Sequence, residues 1–254
     1  MYFRSSRMYL RSLSLNNNTK LKDHLDYSDE VHTLIANEQF DELFKYTNFN
    51  VYNLDHYSIF LRIIDSGNKK IIKHFISNIS CHSYLLCNQY GFDLVFIERL
   101  LNLNCVKLYK YYIEKYQIDV ERNYDGNYKH IHIACDIGSV EIVKFLIEKG
   151  VDLESMTQMC DKPIHLACKN GTLDIIKLLV EQGVDLESDT LWDSRKPIDL
   201  VFRYGKYDVI KYFLSLNIIM TQDNNFEKLM RHNTNLCTCD RIDICDIISK
   251  LRNP

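Results

Sequence analysis

Cys237 and Cys239, with His232 before them and Cys245 after, are the one group in this 254-residue chain whose types and spacing suit metal ligands. Structural zinc sites more often use two C-x₂₋₄-C pairs, and no second pair follows here, so the spacing favours partly buried thiols over a metal site. No metal and no cofactor is expected. His132 and His165 are the other chemistry-bearing side chains. Either imidazole could serve as a metal ligand or a general base. The chain has no nucleophile elbow, phosphate-cradling Gly loop or H-E-x-x-H motif, and its eight glycines leave none spare for such a loop. No catalytic residues are therefore assigned, and an enzyme is not expected.

Those histidines belong to two near-identical stretches, HIACDIGSVEIVKFLIEKGVDLES and HLACKNGTLDIIKLLVEQGVDLES. His132 and His165, Gly138 and Gly171, and Gly150 and Gly183 each stand 33 residues apart. Ile142, Val143, Leu146 and Ile147 fall on one face of a helix. Gly150 then ends that helix in the left-handed region, and Asp152 follows where a carboxylate can accept backbone N–H bonds. A third unit, KPIDLVFRYGKYDVIKYFLS, follows at spacing 34, with the extra residue in the loop before it. Upstream, SIFLRIIDSGNKKIIKHFIS fits the same helix pair, and a degenerate unit is expected between them at roughly 88–120, where LYKYYIEKYQIDVE supplies its second helix.

The fixed period, with His-x-Ala at its start and Gly near its end, resembles the ankyrin repeat. The resemblance implies an all-α solenoid of helix-loop-helix units joined by hairpin-like fingers. It divides the chain into an N-terminal tail (1–25), degenerate repeats (26–120), three well-defined repeats (121–218) and C-terminal capping helices (219–254). In the family's Thr-Pro-Leu-His motif the histidine bridges turn backbone within and between repeats. Here Lys129, Lys162 and Lys196 replace the Thr, and His130 replaces the first Pro. The usual Thr–His bond should be lost, and with Asp199 in the His position the third unit should be less stable than the second. Some family members are hydroxylated on a loop Asn; Glu154 and Glu187 occupy the matching positions, so that modification is not expected there.

A net charge of −3, with basic residues scattered among acidic ones, points away from nucleic acid. No apolar run approaches the about 18 residues of a membrane span. The nine cysteines are an odd number, and Cys135 and Cys168 occupy small core positions, which suits a reducing cytoplasmic setting. Residues 1–22 are basic and serine-rich like an organelle presequence, but a charged tail is the reading favoured. A soluble monomer is expected.

The resemblance implies non-catalytic binding of a protein on the concave face, built from loop tips and first-helix ends. The candidate residues are Tyr124, Asp125 and Tyr128; Asp136 and Ile137; Gln158, Met159 and Asp161; Lys169 and Asn170; Leu191, Trp192, Asp193 and Arg195; and Arg203 and Tyr204. Trp192, the sole tryptophan, lies in the longer loop beside Arg195, a pairing typical of interface hot spots. The Asn-, Ile-, Lys- and Tyr-rich composition also resembles the ankyrin families of giant AT-rich DNA viruses, implying a host protein as partner and the host cytoplasm as the place of action. The alternative is a substrate adaptor for a ubiquitin ligase, which in poxvirus relatives needs a C-terminal F-box-like segment. The ending CDIISKLRNP, with Pro only at 163, 197 and 254, does not show one.

Overall fold

Pro163 and Pro197 begin helices at the one position where a missing N–H costs nothing, and the same register without proline begins at His130. These helices recur through a computed structural model that describes residues 33–34, 37, 39, 42, 63–78, 92–103, 105–190, 195–216 and 226–252. The tail through residue 25, Leu191, Trp192 and Asp193 lie outside the described residues, as do the side chains of Asp125 and Phe75. No strand occurs among the described residues.

The chain divides into two compact units, 1–99 and 100–254. In the first, α1 (Lys69–Asn78) is capped by Asn68, whose Oδ1 accepts the N–H groups of Lys70 and Ile71. Ile63, Ile64, Ile71, Ile72 and Ile76 are fully buried, and Asp65 pairs with Arg99. Helix α2 (Phe92–Asn102) crosses the division and is followed by α3 (Val106–Tyr116), so a helix pair occupies the degenerate stretch.

The second unit continues with three helix pairs: α4 (His130–Ile137) and α5 (Val140–Glu148), α6 (Pro163–Asn170) and α7 (Leu173–Glu181), α8 (Pro197–Tyr204) and α9 (Tyr207–Ser215). Helix α6 packs between α4 and α8, while α5 meets α7. Then α10 (Phe226–Arg231) covers α8, with Phe226 and Phe202 ring centroids 4.2 Å apart, and α11 (Thr238–Arg252) covers α9. Cys135 and Cys168 are fully buried between the first helices, and burial pushes both thiols up. They pack as small apolar groups.

The second helices α3, α5 and α7 end in a left-handed residue at the same phase: Gln117 (φ 49°), Gly150 (φ 75°) and Gly183 (φ 76°). The degenerate repeat thus keeps the turn without the glycine, in a conformation that disfavours a Cβ. Gly205 holds in the third unit the place of Gly138 and Gly171 but differs from them in conformation. Its φ is −68°, and it is required because a Cβ there would lie 2.5 Å from the Val201 carbonyl oxygen.

The lysines in place of Thr build an ion-pair ladder. Lys129 reaches Glu121 at 2.5 Å, Lys162 reaches Glu154 at 2.6 Å and Asp185 at 3.1 Å, and Lys196 reaches Glu187 at 2.7 Å. The first two rungs also tie backbone across a repeat boundary, because Glu121 and Glu154 accept the N–H of Asp152 and Asp185, both at 2.8 Å. Burial alone would lower the Lys162 pKa, but its hydrogen bonds to Glu154 and Asp185 outweigh it and hold the ammonium charged. The carboxylates are half exposed, so each pair is weak on its own. A double-mutant cycle of Lys162→Met and Glu154→Gln should give a coupling of about 0.5–1 kcal/mol that falls in 1 M salt. Additive single effects would remove the ladder from the account of stacking.

Candidate protein-binding face

The fingers between repeats are each closed by one backbone bond. Tyr124 N–H donates to Tyr128 O at 2.7 Å, Thr157 N–H to Asp161 O at 3.0 Å, and Thr190 N–H to Arg195 O at 3.1 Å. The third closure spans one residue more than the others, which is where the sequence has its insertion. Thr157 and Thr190 brace their fingers through Oγ1, which accepts from Met159 and Asp161 in one and from Arg195 in the other. The first two fingers are joined by Gln158 N–H to Gly126 O at 2.8 Å, which puts their tips in one row.

The histidines are structural. His132 Nδ1 accepts from Lys129 N–H at 3.0 Å while its Nε2–H donates to Ser155 O at 3.0 Å; His165 does the same with Lys162 and Ser188 at 3.1 and 2.9 Å. Asp199 keeps only the first bond, accepting from Lys196 N–H at 3.0 Å. His130 is held on both ring nitrogens, by Tyr109 Oη at 2.7 Å and Tyr124 Oη at 2.8 Å. Its neutral ring therefore accepts from one phenol and donates to the other. Burial raises the Tyr109 pKa and keeps that phenol protonated. With both nitrogens of all three rings occupied, none is placed to act as a general base.

The ends of the first helices line up where α4, α6 and α8 pack side by side. Ile137 and Asp136 are half-buried, Lys169 and Asn170 exposed, and Arg203 and Tyr204 half-buried, with the Arg203 guanidinium 5.4 Å from the Tyr204 ring centre. Burial raises the Asp136 pKa and Lys169 on the next repeat opposes that rise, so these two form one electrostatic pair. Asn170 is largely committed to the fold. Its Nδ2 donates to Asp136 O at 2.9 Å and its Oδ1 accepts from Thr172. At the last repeat Asn233 and Asn235 act alike, donating to Phe202 O, Gly205 O and Tyr204 O at 3.1, 2.8 and 2.7 Å. Among the tips, Gln158 is exposed, while Tyr124, Tyr128, Met159, Asp161 and Arg195 are half-buried. Of these, Tyr124 is spent on His130.

The metal-like cluster does not assemble as four residues. Among the described residues, only Cys237, Cys239 and Asp240 bring ligand atoms within 4.8 Å, and His232 and Cys245 are not part of that group. The two cysteines are bonded to each other and exposed, which corrects the expectation of partly buried thiols. Purified protein should hold substoichiometric zinc, and a chelator should leave its melting temperature unchanged, since stacking supplies the fold. One zinc per chain by elemental analysis, lost in a Cys237→Ser, Cys239→Ser variant, would overturn that.

A family model described as ankyrin repeats, in three copies, matches residues 98–190 and 131–226, about half of the chain. No curated protein matches. None of the helices among the described residues is long and apolar enough to cross a membrane.

Proposed function

This chain belongs to the ankyrin-repeat family, and from that premise we propose that it is a non-catalytic scaffold whose row of finger tips and first-helix ends binds a protein partner. One observation carries the reading. Residues constant between repeats are consumed by stacking bonds, whereas Ile137, Gln158, Met159, Lys169, Arg203 and Tyr204 differ from repeat to repeat and retain exposed area along one row. Trp192, with Leu191 and Asp193, extends that row on sequence grounds, and Arg195 closes the same finger. The viral-like composition supports a host protein as the partner and the host cytoplasm as the compartment.

Affinity purification from the native cell, with mass spectrometry, identifies the partner. A single stoichiometric protein supports a direct binder, and recovery of ligase subunits would replace it with the adaptor reading. With the partner in hand, Trp192→Ala and Arg195→Ala should each weaken binding by about 2 kcal/mol with little change in melting temperature. Unchanged affinity for both, together with a large loss of melting temperature, would move the binding face elsewhere.

A further inference from the structure

We propose that Cys237 and Cys239 form a reversible thiol–disulfide exchange site that reacts with small thiols and disulfides of the glutathione class. The pair lies in the capping unit and has no part in the binding row. Three observations carry it. Both cysteines are exposed, whereas Cys105, Cys135 and Cys168 are buried. Their Cα atoms are 5.5 Å apart, within the range a disulfide bridges without backbone movement.

The third observation separates the two sulfurs. Cys237 is the N-cap of α11, a helix of 15 residues: its carbonyl accepts the Arg241 N–H at 3.2 Å. Its Sγ accepts the Asp240 N–H at 3.3 Å, while its own N–H donates to the Asp240 carboxylate at 3.0 Å. Sulfur thus stands where a capping oxygen usually does, taking the Asp240 N–H at the positive end of the helix. The Asp240 carboxylate lies within 4.8 Å of both sulfurs and opposes a thiolate on either, so the N–H bond to Sγ is what sets Cys237 apart, making it the better leaving group when the bond is reduced and the better nucleophile when it forms.

Reduction proceeds in two balanced steps. An external thiolate RS⁻ attacks Cys239 Sγ, forming R–S–S–Cys239 and releasing Cys237 as the thiolate held by the Asp240 N–H. A second RS⁻ attacks the R sulfur of that mixed disulfide, giving RSSR and the Cys239 thiolate. With both thiolates protonated, two RSH have supplied the two electrons and two protons. Oxidation by RSSR is the reverse. Neither direction needs a metal or flavin.

The test uses the full chain equilibrated across ratios of reduced to oxidised glutathione, then acid-quenched, alkylated and mapped by mass spectrometry. The peptide holding both cysteines should pass in a single step from two alkyl groups to none, ending two hydrogens lighter than the unalkylated dithiol, while the Cys135 and Cys168 peptides do not respond. A peptide that stays dithiol in excess oxidised glutathione, stays bonded in excess dithiothreitol, or pairs either sulfur with another cysteine overturns the proposal. Single variants test the roles of the two sulfurs. At neutral pH the Cys237 thiol of Cys239→Ser should react with iodoacetamide several-fold faster than the Cys239 thiol of Cys237→Ser, and the opposite order or equal rates would refute the assignment to the helix cap.

Discussion

Lowering the pH from 7 to 5 is expected to cost the repeat unit about 4 kcal/mol of stability, because His130 and His132 are buried as neutral rings. Burial is the largest cause in both, pushing each pKa down to about 4, against an unfolded value of 6.5. For His130, Asp119 opposes the shift and Arg122 adds to it. For His132, the Ser155 carbonyl, Asp152 and Glu121 oppose it and Lys129 adds to it. A depressed imidazole contributes full stability above pH 6.5, where the ring is neutral in both states. That contribution is lost as pH falls from 6.5 toward 4, where only the unfolded chain takes up the proton. Near pH 5 each ring has forfeited about 2 kcal/mol.

His165, whose pKa burial also lowers, adds to the loss. Half-buried Asp136 and Asp199, raised by burial, work the other way, but Lys169 and Lys196 limit their rise. Hydrogen bonding reaches the same sign independently. His132 and His165 each accept a backbone N–H on Nδ1, and a protonated ring has no lone pair left to accept it. Urea denaturation at pH 7.5, 6 and 5 measures the effect. Stability that is flat across that range would mean the rings are not held neutral in the folded chain.

These histidines also show where periodicity informs and where it fails. His132, His165 and the helix-ending glycines are legible because each recurs after 33 residues and each does the same local task. His130 looked like the loss of a proline. Its partners Tyr109 and Tyr124 lie 21 and 6 residues away, outside any repeat register, so only packing could bring them together. The lysine ladder has its own period in the sequence. Glu121, Glu154 and Glu187 recur at 33, as do Lys129 and Lys162, with Lys196 one residue later, so the lysines that stand where the family has Thr carry a charge pairing of their own.

Gly205 matched the pattern but serves it for another reason, since a sequence cannot distinguish a left-handed glycine from one pressed against a carbonyl. The proposed binding row is the least legible part. Its positions vary by nature, and Asn170, equally variable, proves to be occupied between repeats.

Leu179→Ala should cost about 2–5 kcal/mol, whereas Lys177→Ala two residues earlier should cost under about 1 kcal/mol. Leu179 is fully buried on α7 with Ile175 and Ile176, and α7 packs on both α5 and α6, so the lost methyl groups leave a cavity that little can close. Lys177 is exposed, and its ammonium lies 5.6 Å from the Tyr212 ring centre, a contact that at a solvated site is worth little. The gap between the two is a direct reading of helix phase. It also bears on the solenoid as a whole, because a repeat that is stable only through its neighbours transmits a central defect to both interfaces. Leu179→Ala should therefore lower the denaturant midpoint of the whole repeat unit instead of splitting off one terminal pair. Equal costs at positions 177 and 179 would show the apolar face of α7 to be misplaced, and with it the stacking register that aligns the proposed binding row.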